Sequence, residues 1–138
     1  MLKEDYVSLE VAKLLKEKGF DEKVSTHYLI HPSGFSEFFD KKDEFTEPED
    51  VWLKCPTHQM VMKWLREVYH IEIHITFGFP FIDGKLQYKY FWSIVRVCDN
   101  HLEYPMDDPA SASYNEEIAD SYEEAVEAAC LYALKTLI

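Results

Sequence analysis

The sequence predicts an α+β fold, with an antiparallel sheet of three to five strands packed by about three helices in two layers. Three observations carry this reading. Three stretches place apolar residues at helical spacing behind a capping residue. Between the second and third of them, apolar and polar residues alternate with a period of two. Short turns join those alternating runs, which makes neighbouring strands pair antiparallel. At 138 residues the chain has the length of one domain, and residues 1–138 are expected to form a single globular domain.

The first helix is expected over Leu9–Lys18. Ser8 suits the N-cap, Glu10 complements the helix dipole, and Val11, Leu14 and Leu15 form the apolar stripe. Gly19 stands where a left-handed residue ends a helix, and Phe20 can fold back on Leu15. The run SLEVAKLLKEKGF resembles the opening of a helix-turn-helix domain. That reading needs a basic recognition helix within about ten residues, whereas Phe20 leads into Asp21-Glu22 and a strand-like segment. Val24–His31 is that segment, and Pro32-Ser33-Gly34 ends it. Residues 35–54 show no clear period, because Phe35, Phe38, Phe39 and Phe45 are mixed with acids and lysines.

The second helix follows Cys55-Pro56, with Thr57 as cap, and runs to about Tyr69 with Met60, Val61, Trp64, Leu65 and Val68 on one face. Ile71–Phe77 alternates, which directs its four apolar residues to a core and Glu72, His74 and Thr76 outward. Asp83-Gly84 signals a turn. Lys85–Val97 then reads as one long strand, with Leu86, Tyr88, Tyr90, Trp92 and Ile94 on one face and Phe91, Val95 and Val97 on the other. His101–Met106 is a further short strand candidate, and residues 107–120 read as a polar loop. The third helix starts at Ser121, where Glu124 three residues on makes a capping box. Tyr122, Ala125, Val126, Ala129, Tyr132 and Ala133 form its buried face.

Composition narrows the function classes. The apolar fraction of 47% and the nine Phe, nine Tyr and three Trp supply a core without disulfides. Cys55, Cys98 and Cys130 are dispersed and odd in number, which fits a reducing cytoplasm. No run approaches the ~18 apolar residues of a membrane span. The N-terminal MLKEDYVSLEVAKLL lacks the apolar core of a signal peptide. A cytoplasmic protein is expected. Its net charge of -12 is localised: residues 1–96 hold 16 acids against 13 bases, whereas residues 97–134 hold ten acids and no Lys or Arg. Such a surface repels phosphate backbones, so direct nucleic-acid binding is disfavoured.

Catalytic signatures are absent. Four glycines leave no GxGxxG or Walker loop, and neither GxSxG, HExxH nor CxxC can be written. His27 and His31, like His70 and His74, are four apart, but that spacing converges two side chains only within a helix. No metal site, cofactor or catalytic residue is therefore assigned. Cys55 precedes a helix N-terminus, where the dipole can lower a thiol pKa, and is the cysteine to test for reactivity. Cys98 and Cys130 read as small core residues. Two binding features remain: the acidic stretch Asp99, Glu103, Asp107, Asp108, Glu116, Glu117 and Asp120, and the aromatic run Tyr88, Tyr90 and Trp92. An exposed aromatic patch rimmed by acids suits a protein partner.

Three stretches, YVSLEVAKLLKEKGFDE, PTHQMVMKWLREVYHIEI and SYEEAVEAACLYALKTLI, cover 53 of the 138 residues and coincide with the three helices. They resemble a family of small uncharacterised proteins of Bacteroidales bacteria and their prophages and mobile elements. The resemblance implies a cytoplasmic protein and supplies no activity or catalytic residues. His58 departs from it, standing where an apolar residue is expected. The expected function is a non-enzymatic protein-interaction domain acting through its acidic C-terminal third, in one version by imitating nucleic-acid charge. The alternative is a small enzyme or ligand-binding domain that gathers His27, His31, His58, His74 and His101 with an acid.

Overall fold

A computed structural model describes residues 5–40, 52–98, 101–103 and 118–138. Within them the chain is α+β, with antiparallel sheets and three α-helices. It divides into two compact units, Met1–Met60 and Val61–Ile138.

The first unit opens with α1, Leu9–Glu17, whose ends follow the expected chemistry. Ser8 accepts a hydrogen bond from the Val11 amide at 3.2 Å. At the far end the Phe20 amide donates to Leu15 O at 2.9 Å and the Gly19 amide to Lys16 O at 3.2 Å. These two bonds form a Schellman motif, which places Gly19 at φ +87°. Phe20 is buried, as are Val11, Ala12 and Leu15.

Three strands complete this unit: β1 (Thr26–Ile30), β2 (Ser36–Asp40) and β3 (Trp52–Lys54), in the order β2-β1-β3. The β1–β2 hairpin turns at Pro32-Ser33-Gly34, where the His31 amide donates to Phe35 O and the Gly34 amide to His31 O, both at 2.8 Å. Two of these strands lie inside the stretch without a readable period. Phe38 of β2 packs its ring against Tyr6 and Tyr28, and Leu53 of β3 is buried. Phe45 lies outside the described residues. Val7 is tied to the strand end: its amide donates to Pro56 O at 3.1 Å, and its carbonyl accepts from Tyr28 Oη at 2.8 Å. Thr26, a buried hydroxyl, is satisfied by donating to Cys55 O.

The helix α2, His58–Tyr69, begins at the end of the first unit and continues in the second. Its cap is Thr57, whose Oγ1 accepts from the Met60 amide at 3.2 Å. Val61, Trp64 and Leu65 are buried as the spacing predicts, but Val68 is exposed. The helix stops at His70, which takes a left-handed φ of +57° and gives its carbonyl to the Val97 amide at 3.1 Å.

The second unit is built on β4 (Ile71–Gly78) and β7 (Lys89–Cys98), paired antiparallel from Ile71↔Arg96 to Gly78↔Lys89. Between them β5 (Phe81–Ile82) and β6 (Lys85–Leu86) make a two-stranded ribbon around Asp83-Gly84. Both turn residues have positive φ, +51° and +74°, the geometry of a tight type I′ hairpin. The long strand expected from Lys85 is thus broken at Gln87-Tyr88, where the Gln87 amide turns back to Pro80 O at 3.0 Å. On the other side of β7 lie β8 (His101–Glu103) and β9 (Ile118–Ala119), the latter inside the segment expected to be loop.

The last helix, α3 (Tyr122–Tyr132), covers one face of β4 and β7 and ends in a π-helical turn over Ala133–Leu137. Its buried residues are Ala125, Val126, Ala129 and Cys130, followed by Ala133 and Leu134. The small side chains let helix and sheet approach, and Ile71, Ile73, Trp92 and Ile94 form the opposing sheet layer. Ser121 accepts from the Glu124 amide at 3.1 Å, and Glu124 Oε2 accepts from the Asp120 amide at 3.2 Å. The capping box therefore closes one residue earlier than its usual form, on Asp120 instead of Ser121.

Candidate functional site

The alternation in β4 and β7 decides which face each side chain takes, and α3 decides how much of that face is covered. Ile71, Ile73, Ile75 and Phe77 share a face with Tyr90, Trp92, Ile94 and Arg96. Trp92 is buried against Tyr132, at 5.7 Å between ring centroids. Tyr122, the first residue of α3, reaches Tyr90 at 6.2 Å. Past that point the same sheet face continues in the open. Phe77, expected in the core, is 60% exposed.

A connected set of rings occupies this open end. Tyr88 stacks on Phe77 at 5.2 Å, meets Phe79 edge-on at 5.0 Å and meets Tyr90 at 5.7 Å. Phe77 also touches Phe79 and Tyr90 edge-on. Phe79 is 57% exposed, Tyr88 49% and Tyr122 37%, and the paired ribbon residues Phe81 and Leu86 are more exposed still. Isolated exposed apolar side chains are ordinary, whereas a contiguous patch marks an interaction surface. One stacked and several edge-on contacts hold the rings to one another.

Charge borders the patch on the α3 side. Asp120 pairs with Lys89, and Glu123 and Glu124 stand exposed in the first turn of α3. The Tyr90 hydroxyl is held above the ordinary tyrosine value by partial burial, by charge and hydrogen-bond coupling to Tyr88, and by the Glu123 carboxylate. Lys85 is exposed on the ribbon.

Of the aromatic run expected to bind, Tyr88 and Tyr90 therefore belong to the patch and Trp92 belongs to the core. Phe77 and Tyr122 are expected in the core but are exposed, since the sheet face runs on past the start of α3, and Phe79, Phe81 and Leu86 are not among the expected binding residues. The signal for the three phenylalanines is the run Phe77-Gly78-Phe79-Pro80-Phe81, in which Gly and Pro break the strand while every second residue stays aromatic. Of the acidic stretch, Asp120 is described as exposed and Glu103 is placed on β8 opposite Arg96. Asp99, Asp107, Asp108, Glu116 and Glu117 lie outside the described residues.

The described histidines lie on several different elements. His27 lies on β1, edge-on to Trp52 at 6.2 Å, and burial together with the Lys54 charge holds its imidazole below the usual histidine value against the opposing pull of the Ser25 backbone. His31 stacks on Phe35 and meets Glu37 at 3.5 Å on the hairpin. Four residues of extended chain put their α-carbons roughly 13 Å apart. His58 is buried at the start of α2, its amide donating to Asp5 O at 2.9 Å. His74 is exposed on β4, and the side chain of His101 lies outside the described set. Among the described residues no group of three His, Cys, Asp or Glu side chains is arranged to hold a metal ion.

The cysteine singled out for reactivity is sealed. Cys55 has no exposed surface, and its Sγ faces Val7 O at 3.5 Å. Burial and the neighbouring Glu127 push the Cys130 thiol up to about 12. Among the described residues no helix is long and apolar enough to cross a membrane. No family model, curated protein or solved structure matches the chain.

Proposed function

We propose that this chain is a non-enzymatic interaction domain that docks a protein partner on the aromatic end of its second unit. The observation that supports the reading is the connected set of rings in which the exposed Phe79, Tyr88 and Phe77 are joined through the half-buried Tyr90 to the exposed Tyr122. Tyr and Phe supply large contact area at small entropic cost, and buried aromatic anchors dominate binding energies at protein interfaces. The sheet end presents them packed against one another, which lowers the cost of association. The proposed setting is the cytoplasm of a Bacteroidales bacterium, on a mobile element or in its host, and rests on the resemblance of the three helical stretches.

Site-specific photocrosslinking tests the docking surface. A photoreactive residue is placed at Phe79, and a second chain carries it at the exposed Lys13 of α1 as control. Irradiation in the native cell is expected to give a defined protein adduct from position 79 that position 13 does not give. Equal adduct patterns from the two positions would remove the patch as a docking surface.

A further inference from the structure

The charge around the rings selects among the partners that could cover them. Phosphate-bearing nucleic acid meets Glu123, Glu124 and a chain of net charge -12, and so does an anionic bilayer. A second copy brings the same rim and the same net charge. A neutral apolar surface would cover the rings but would also bury carboxylates without a partner, which is costly. An arginine satisfies both parts. Its guanidinium lies flat on an aromatic face and keeps its N–H donors free for a carboxylate in the same plane.

Ring spacing adds the shape of the partner. Along the row Phe79, Tyr88, Tyr90, Tyr122 successive centroids are 5.0, 5.7 and 6.2 Å apart. Alternate side chains of an extended peptide repeat at about 6–7 Å. Successive rings are thus spaced nearly as far apart as alternate side chains of an extended peptide. On the α3 side Lys89 holds Asp120. Glu123 is close enough to act on the Tyr90 hydroxyl.

We infer that the aromatic row binds an extended, arginine-bearing segment of the protein partner, with guanidinium groups stacked on Tyr88 and Tyr90 and directed toward Glu123. The inference rests on the docking reading above and names its ligand. It is tested by fluorescence anisotropy on the full chain with labelled twelve-residue peptides of alternating Arg and Thr. Matched peptides replace every Arg by Lys, Gln or Glu. The Arg peptide is expected to bind more tightly than the Lys peptide, and about tenfold more tightly than the Gln peptide. Tyr88→Ala and Phe79→Ser should each weaken the Arg peptide about tenfold. Glu123→Gln should weaken it about threefold and leave the Gln peptide unchanged. Circular dichroism of each variant checks that the fold is retained.

Equal binding of the Arg, Lys and Gln peptides overturns the inference. So does undiminished binding of the Arg peptide to Tyr88→Ala and Phe79→Ser, since the attraction then belongs to acids elsewhere on the chain. Peptides selected from a random display library separate the two readings. Selected peptides that need Tyr88 but lack arginine would retain the docking surface and eliminate the arginine-bearing segment. If no selected peptide and no crosslink depends on the patch, both readings fail.

Discussion

At the scale of single residues, burial silences groups whose chemistry would otherwise attract attention. Cys130 is closed in the α3 layer with its thiol pushed up to about 12, and Cys55 is fully enclosed beside Val7. A thiolate is the reactive species, so neither should be modified in the folded chain. In a Cys98→Ser variant, an aromatic disulfide reagent at pH 8 is expected to release no colour until denaturant is added; a fast native-state reaction would contradict the sealed thiols. His27 gives a pH prediction with a definite sign. Its imidazole is held below the ordinary value near 6.5, so protonation favours the unfolded chain. Its contribution to stability is complete above pH 6.5. It falls as the pH drops from there to the lowered folded value, then levels off. Urea midpoints between pH 7.5 and 5.5 should therefore decline less steeply for His27→Gln than for the wild type. The same accounting separates Trp92 from Tyr88: they are four residues apart in sequence, yet one is core and the other half-exposed.

At the scale of elements, the local signals were legible wherever a short stretch satisfies its own backbone. Ser8, Gly19, Thr57 and Ser121 each perform the capping role that their position implies, because a cap involves only three to six consecutive residues. Ser121→Ala is expected to cost about 1 kcal/mol in urea unfolding, and Gly19→Ala about 1–2 kcal/mol because a Cβ is strained at φ +87°. Unchanged stability of either variant would remove the assigned cap. Strands β2 and β3 were not legible, since what makes them strands is pairing with β1 from up to 27 residues away, as in His27↔Lys54. Their own residues are few and mixed in polarity. The break at Gln87-Tyr88 was hidden for a related reason: alternation continues across it, while the ribbon pairing that causes it is a tertiary fact. The aromatic site was half legible. Period two says that Phe77 and Tyr90 share the face of Trp92, but only the position of α3 says where cover ends.

At the scale of the whole molecule, a net charge of -12 opposes contact between the exposed rings of two chains. With an isoelectric point near 4.8, the net charge of -12 at neutral pH largely disappears on acidification. Light scattering should show self-association rising as the pH approaches 4.8, and a Phe79→Ser, Tyr88→Ser double variant should suppress much of that rise. If the double variant associates equally, the patch is not the adhesive surface. Stability should respond in the opposite sense. Tyr88→Ala, at a half-exposed position, is expected to change unfolding free energy by less than about 0.5 kcal/mol, whereas Leu65→Ala in the core should cost about 2–5 kcal/mol. The proposed docking residues and the residues that hold the core are thus different ones, and their variants should separate the two properties. The place of Trp92 on that face has an optical consequence. Its indole stands one alternate position behind Tyr90, which itself touches Tyr88 and Tyr122, so light absorbed by these phenols passes to a shielded indole by resonance energy transfer. In a Trp52→Phe, Trp64→Phe variant, a ligand that stacks on the phenols should change the sensitised emission of Trp92 more than its directly excited emission. Trp92 would then serve as a built-in gauge of occupancy.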